Sequence, residues 1–242
     1  MYCGKRIIVI APAYNEENKI QSVVTRIEAM GLRCVDETVV VDDGSTDASA
    51  ERAEQAGATL IRLGRCYGVG AALRRGFEYA QAHHYDICVC IAGNNKDDPE
   101  EIPRLLEPIA NDDADLVQGS RYLPGGVSGN TPLYRRLATR IHPWLFSLFV
   151  GKRLTESTNG FRAFRLSLLR DPGIKLDQRW LDGYELEPYL LFQVIRRGYK
   201  HREVPCTKIY PARELGQTKV PPVTGWWALL RPIFLLGLGI KD

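Results

Sequence analysis

Three short loops carry the residues best suited to polar chemistry: Asn15-Glu16-Glu17, Asp42-Asp43, and the loop ending in Asp97-Asp98. Each follows an apolar run rich in β-formers. Carboxylates gathered along the carboxyl edge of a parallel sheet can hold a base, a ribose or a divalent cation. One such loop is unremarkable, because acids before a helix favour its positive end. Three along one edge read as a ligand site. Arg121, Arg213 and Lys219 add positive charge that suits a diphosphate, for which Arg offers a fork and Lys a point charge. Gly68-Val69-Gly70 resembles half of a dinucleotide fingerprint, but Leu73 stands where the third glycine belongs. No Gly-rich Lys-Ser/Thr phosphate loop is present, and no His, Cys or Ser set forms a nucleophile triad.

The elements that must position these loops follow from periodicity. Residues 6–11, 37–41, 58–63 and 86–92 are apolar runs of strand length, and 18–30, 48–56 and 71–82 have helical spacing. The stretch 87–102, ICVCIAGNNKDDPEEI, combines a buried strand, a polar loop and a helix start. Asp98, Pro99 and Glu101 form that start, as cap, first helical residue and capping-box acid. A helix over 100–110 and a strand over 115–119 follow, then a Gly/Pro/Ser-rich loop over 123–131. The spacing predicts an amphipathic helix over 133–150, a strand over 161–166, a helix over 181–197 and a strand over 202–210. In that last strand Val204, Cys206 and Ile209 are the expected inward residues. Strands alternating with helices of this length mean βαβ units and a largely parallel sheet.

The 242 residues suffice for a large core, and a net charge of +3 gives no argument for a nucleic-acid partner. The six cysteines lack metal-site spacing and read as small buried hydrophobes of a reducing compartment. No run reaches the roughly 18 to 20 apolar residues of a spanning helix, and the start does not look like a secretory signal. A soluble or peripheral protein is expected. The segment 226–242 opens with paired Trp and contains Arg231-Pro232. That pattern suits an interfacial helix on a bilayer; a terminal helix packed on the domain is the alternative.

Two motifs, Pro12-Ala13-Tyr14-Asn15-Glu16-Glu17 and Val40-Val41-Asp42-Asp43-Gly44-Ser45-Thr46-Asp47, closely resemble the opening of family 2 glycosyltransferases. Gly119-Ser120-Arg121-Tyr122, Asn159-Gly160-Phe161-Arg162 and the segment from Arg213 to Lys219 narrow the resemblance. They are similar to polyprenyl-phosphate glycosyltransferases of the dolichol-phosphate mannose synthase type. The resemblance implies a Rossmann-like GT-A α/β fold over residues 1–222, with a C-terminal apolar, interfacial segment over 223–242. It implies a cytoplasmic enzyme, peripheral on the membrane, that inverts a sugar on transfer from a UDP- or GDP-linked donor to undecaprenyl or dolichyl phosphate. A soluble acceptor and a non-catalytic nucleotide-sugar-binding module are the alternatives.

By the same resemblance, Pro12, Ala13, Tyr14, Glu16, Val41 and Asp43 hold the nucleoside. Ala92, Gly93, Arg121, Arg213 and Lys219 face the donor or its phosphates, and Glu156 lies near the acceptor. Glu185 and Glu187 are candidates for sugar hydroxyls. The family's Asp-x-Asp metal motif falls on Ala92-Gly93-Asn94, and its frequent Gln falls on Lys96. Alanine cannot ligate a metal, and Asn94 offers only a neutral oxygen. Either Asn94, with Asp97 or Asp43 and the donor phosphates, still binds Mg²⁺ or Mn²⁺ weakly, or Lys96 supplies positive charge in place of part or all of the metal's.

Overall fold

The computed structural model describes residues 1–31, 34–211, 219–221 and 224–241. The first half alternates as expected: β1 (Ile7–Ala13), α1 (Ile20–Ala29), β2 (Glu37–Asp42), α2 (Ser49–Gln55), β3 (Thr59–Arg62), α3 (Val69–Ala82) and β4 (Ile87–Cys90). A 3₁₀ turn over Pro99–Glu101 leads into α4 (Ile102–Ala110), and β5 (Leu116–Ser120) follows. The second half holds β6 (Val127–Gly129), α5 (Leu133–Val150), β7 (Arg162–Arg165), α6 (Leu186–Arg196), β8 (His201–Pro205), β9 (Thr207–Ile209) and α7 (Thr224–Gly237).

Seven strands form one sheet in the order β3-β2-β1-β4-β7-β5-β8. The chain winds outward from β1 to β3, then returns to the other side of β1 for β4. The β1 and β4 loops therefore flank the point where strand order reverses, which is where open α/β sheets bind ligands. All pairings are parallel except those of β7, which runs antiparallel between β4 and β5. Its reversed direction carries residues 156–161, just before it, to the same carboxyl edge as the β1, β2 and β4 loops. The central strands are apolar on both faces because helices cover both. One core gathers Ile20, Val24, Leu105 and Ile109 against Ile7 and Val9; the other gathers Leu73, Phe77, Phe146, Leu190 and Ile233 against Ile8 and Ile10.

Four expectations are corrected. The loop over 123–131 contains β6, which pairs with β9 in a small parallel ribbon. The strand expected over 202–210 breaks at Cys206 into β8 and β9, because its second half leaves the sheet to join that ribbon. Ile209 is 46% exposed and Lys208 only 8%, so inward alternation continues through Lys208. Finally, Cys3 and Cys66 are exposed and Cys34 is half-buried, so Cys88, Cys90 and Cys206 are the thiols buried as expected.

Among the described residues, no helix is long and apolar enough to cross a membrane. Helix α7 packs on the domain: Leu229, Ile233 and Leu236 are buried, and Arg231 bonds Glu185 Oε1 at 2.6 Å and the Trp180 carbonyl at 2.8 Å. Helix α5 instead leaves Leu133, Leu137, Ile141, Trp144 and Leu148 exposed along one face.

Candidate active site

The three acidic loops meet, and hydrogen bonds knit them together. Gly93 N–H donates to the Pro12 carbonyl at 3.2 Å, and Asp43 N–H to the Ala13 carbonyl at 2.9 Å. Asn15 N–H donates to Ser45 Oγ at 2.9 Å, and Glu16 N–H to Ser49 Oγ at 2.6 Å. Gly93 has no room for a side chain, since a Cβ there would stand 2.7 Å from Ile20 Cδ1 and 3.3 Å from Ala13 Cβ. Tyr14 is exposed at the rim, whereas Val41 is fully buried in the core, leaving only its backbone to face a ligand.

Asp43 is 4% exposed, and its carboxylate organises a neighbouring loop. It accepts the Tyr67 N–H at 2.7 Å and the Gly68 N–H at 2.9 Å, tying the β3–α3 connection to the end of β2. Bonds to a charged acceptor contribute about 1.5–3 kcal/mol each. Asp43→Ala should release that connection and weaken nucleoside diphosphate binding about tenfold or more. Titration calorimetry reads the change; wild-type affinity in the variant would remove Asp43 from the site.

The β4 loop differs most from a metal site. Asn94 Oδ1 accepts from Lys96 N–H at 3.3 Å. The Asp97 side chain is fully buried, and its two oxygens accept from Lys208 Nζ at 2.6 and 2.7 Å. Asp98 caps the following turn, accepting the Glu100 N–H at 3.1 Å, and pairs with Arg26. Thus the capping role expected for Asp98 holds, while Asp97 belongs to Lys208. Among the described residues, no group of three His, Cys, Asp or Glu could hold a metal ion. A hard cation needs several oxygens, and this loop offers only the neutral amide oxygens of Asn94 and Asn95 beside an Asp97 already held by a buried ammonium. The donor set does not fit Mg²⁺ or Mn²⁺, so Asn94 is not supported as a ligand.

Cations fill this part of the site instead. Lys96 Nζ lies 4.8 Å from the centre of the Tyr210 ring, and the Arg135 guanidinium lies 5.8 Å from the same ring. Burial, then the charges of Lys208 and Arg135, push the Lys96 ammonium down to about 7. Lys208 also donates to Asn159 Oδ1 at 2.7 Å. Strand β9 braces the arrangement: Ile209 N–H donates to the Lys96 carbonyl at 2.8 Å, and Asp97 bridges to Lys208. Lys208 and Arg135 were not expected in the site. The period-2 pattern through Val204 and Cys206 could have found Lys208, since it is next on the inward face.

Arg121 and Glu156 form a second buried unit, with side chains 1% and 0% exposed. Arg121 Nε donates to Glu156 Oε2 at 2.7 Å, and Glu156 Oε1 accepts from Ser157 N–H, Thr158 N–H and Thr158 Oγ1. Burial opposes the Arg121 charge, but Glu156, Tyr210 and Tyr122 together outweigh it and raise the pKa above its ordinary value. Arg121 Nη1 is buried and makes no hydrogen bond within the described residues, so a donor remains for an anion. Glu156 is an internal anchor of Arg121, with no exposed edge to offer an acceptor.

Lys219 Nζ bonds Glu16 Oε1 at 2.9 Å and the Asn15 carbonyl at 2.7 Å, on the β1 loop. Arg213 lies outside the described residues. Glu185 is held by Arg231, and Glu187 lies 3.6 Å from Arg162.

Comparison with known proteins agrees with this fold. The chain is 33% identical to an undecaprenyl-phosphate mannosyltransferase of Micrococcus luteus, over 89% of this chain and 87% of the relative. It is 31% identical to a polyprenol monophosphomannose synthase of Mycolicibacterium smegmatis, over 89% and 81% respectively. Among solved structures, glucosyl-3-phosphoglycerate synthase of Mycobacterium tuberculosis in complex with Mn²⁺, UDP and phosphoglyceric acid matches 99% of this chain. That match has a TM-score of 0.70 at 25% identity and covers 80% of the other chain. The same enzyme with phosphoglyceric acid alone gives a TM-score of 0.71 at 26% identity, covering 99% and 82%. These structures overturn the lipid-phosphate acceptor expected from the motifs, because the enzyme whose backbone matches throughout is bound to a water-soluble anion. What the motifs, the fold and the edge loops share is sugar transfer from a nucleotide: the model of glycosyl transferase family 2 matches residues 8–174, and the chain belongs to that family of enzymes.

Proposed function

We propose that the protein transfers a sugar from a UDP- or GDP-linked donor to a small, soluble, phosphorylated acceptor. The observation that carries this reading is the cationic cluster at the carboxyl edge, where Lys96 and Arg135 face the Tyr210 ring with Lys208 and the unbonded Nη1 of Arg121 nearby. A dianionic leaving group and an anionic acceptor both gain from such a field. The acceptor class draws its support from the solved relative bound to phosphoglyceric acid. Between Tyr122 and Thr155, beside the Arg121–Glu156 unit, a cleft of about 650 Å³ is lined in part by Arg140, Lys152 and Arg153. Its three cations suit an anion, while Pro143, Trp144, Leu148 and Leu154 line the rest.

The protein's task is alignment and charge stabilisation. The Asp43-anchored loop and Tyr14 orient the nucleoside, while the cations face the diphosphate. The test is release of nucleoside diphosphate from UDP- and GDP-sugars with soluble phosphorylated acceptors, phosphoglyceric acid first. The same reactions are run with polyprenyl phosphate in vesicles. Turnover with the soluble acceptors is expected. Turnover only with polyprenyl phosphate would overturn the proposed acceptor class.

A further inference from the structure

The β4 loop lacks the oxygens a divalent cation needs, and cations stand where its charge would act. We propose that Lys96, flanked by Lys208 and Arg135, carries the positive charge that stabilises the departing nucleoside diphosphate, so that sugar transfer needs no divalent metal. The proposal rests on the transferase reading above and deepens it.

Four features of the loop support it. Ala92 has no donor, and Gly93 is packed against Ile20 and Ala13. Asn94 turns its oxygen to the backbone N–H of Lys96. Asp97, the acid best placed to neutralise a lysine or ligate a metal, is taken on both oxygens by Lys208. Lys96 therefore lies against a ring face with Lys208 and Arg135 nearby, and the more weakly felt carboxylates of Asp97 and Glu16 only partly offset those cations. A cluster with more positive than negative charge is costly alone and gains most when a dianion enters, because Coulomb energy grows as the effective dielectric falls. β9 fixes the Lys96 backbone through the bond to its carbonyl, which limits reorganisation when charge develops.

In the transfer step, the bond between the sugar's anomeric carbon and the β-phosphate oxygen breaks, and its electron pair stays on that oxygen. The acceptor oxygen forms the new bond to the anomeric carbon and releases its proton to water. Lys96 donates hydrogen bonds to the phosphate oxygens and transfers no proton. It is the catalytic residue here; Lys208, which holds Asp97 of the same loop, is a positioning residue.

The test uses the full chain and measures UDP and GDP affinity by calorimetry, and donor turnover, in chelator and in Mn²⁺. Uridine and guanosine serve as phosphate-free controls. Wild-type affinity and turnover should change less than about twofold between chelator and Mn²⁺. Lys96→Ala should weaken the diphosphates by roughly 10- to 100-fold and lower kcat by about 10²-fold, leaving the nucleosides unchanged, with Lys96→Arg recovering part of the loss. Lys208→Met should also weaken the diphosphates selectively, a pattern that loss of folding alone would not produce. Binding or turnover that chelator abolishes and Mn²⁺ restores would overturn the lysine while leaving the transferase standing. Unchanged diphosphate affinity in Lys96→Ala would do the same. No diphosphate binding by the wild type at all would overturn both.

Discussion

Glu156→Ala is expected to cost about 3–5 kcal/mol of stability, the usual loss when one partner of a buried ion pair is removed. For a chain of this size that corresponds to a fall in melting temperature on the order of 10 °C. The reason lies in what stays behind. Arg121 is 1% exposed and keeps its charge, and Glu156 also accepts from the Ser157 and Thr158 backbone. Removing the carboxylate leaves one buried cation and two backbone donors unsatisfied. Glu156→Gln keeps the hydrogen-bonding shape without the charge and should lose less. Thermal unfolding of both variants checks this. A melting temperature within 2 °C of wild type for Glu156→Ala, a threshold of roughly 1 kcal/mol, would show that the pair does not anchor the loop.

Gly70→Ala is the second large expected effect. Helix α3 begins against the segment 181–183, and Ala71 N–H donates to the Asp182 carbonyl at 3.0 Å. A Cβ on Gly70 would stand 1.9 Å from the Leu181 carbonyl oxygen and 2.6 Å from that of Gly183. Both are backbone atoms, so no side-chain rotation relieves the clash. Overpacking typically costs 1–3 kcal/mol, and the variant should lie at about the upper end of that range or beyond. Gly68 is constrained twice over, with φ of +111° and a would-be Cβ 2.4 Å from the Asp182 oxygen. The urea midpoint of Gly70→Ala measures the effect; a midpoint equal to wild type would mean that the close approach is absent in solution. The Gly68-Val69-Gly70 motif thus owes its glycines to close backbone contact with 181–183. A dinucleotide fingerprint is not needed to explain it.

Local signals in the chain were enough for the strand-helix alternation from β1 to β4, for the Asp98 cap and for the acidic loops at the ends of β1 and β2. Hydrophobic period and cap chemistry act over a few residues, so they can be read without the fold. The missing acids at Ala92 and Asn94 were visible only against the family's metal motif: alanine has no oxygen to ligate with, and asparagine has only a neutral one. The sequence reading went astray where partners lie far apart along the chain. Asp97 finds Lys208 across 111 positions, and Arg121 finds Glu156 across 35. Only the antiparallel insertion of β7 and the departure of β9 from the main sheet bring those partners to one edge. Once they are there, burial decides the chemistry. A carboxylate satisfied by a buried ammonium is no longer a metal ligand, and a glutamate enclosed with an arginine is no longer open to an acceptor. The three loops that the residues marked do converge, and tertiary packing placed Lys96, Lys208 and Arg135 beside the last of them.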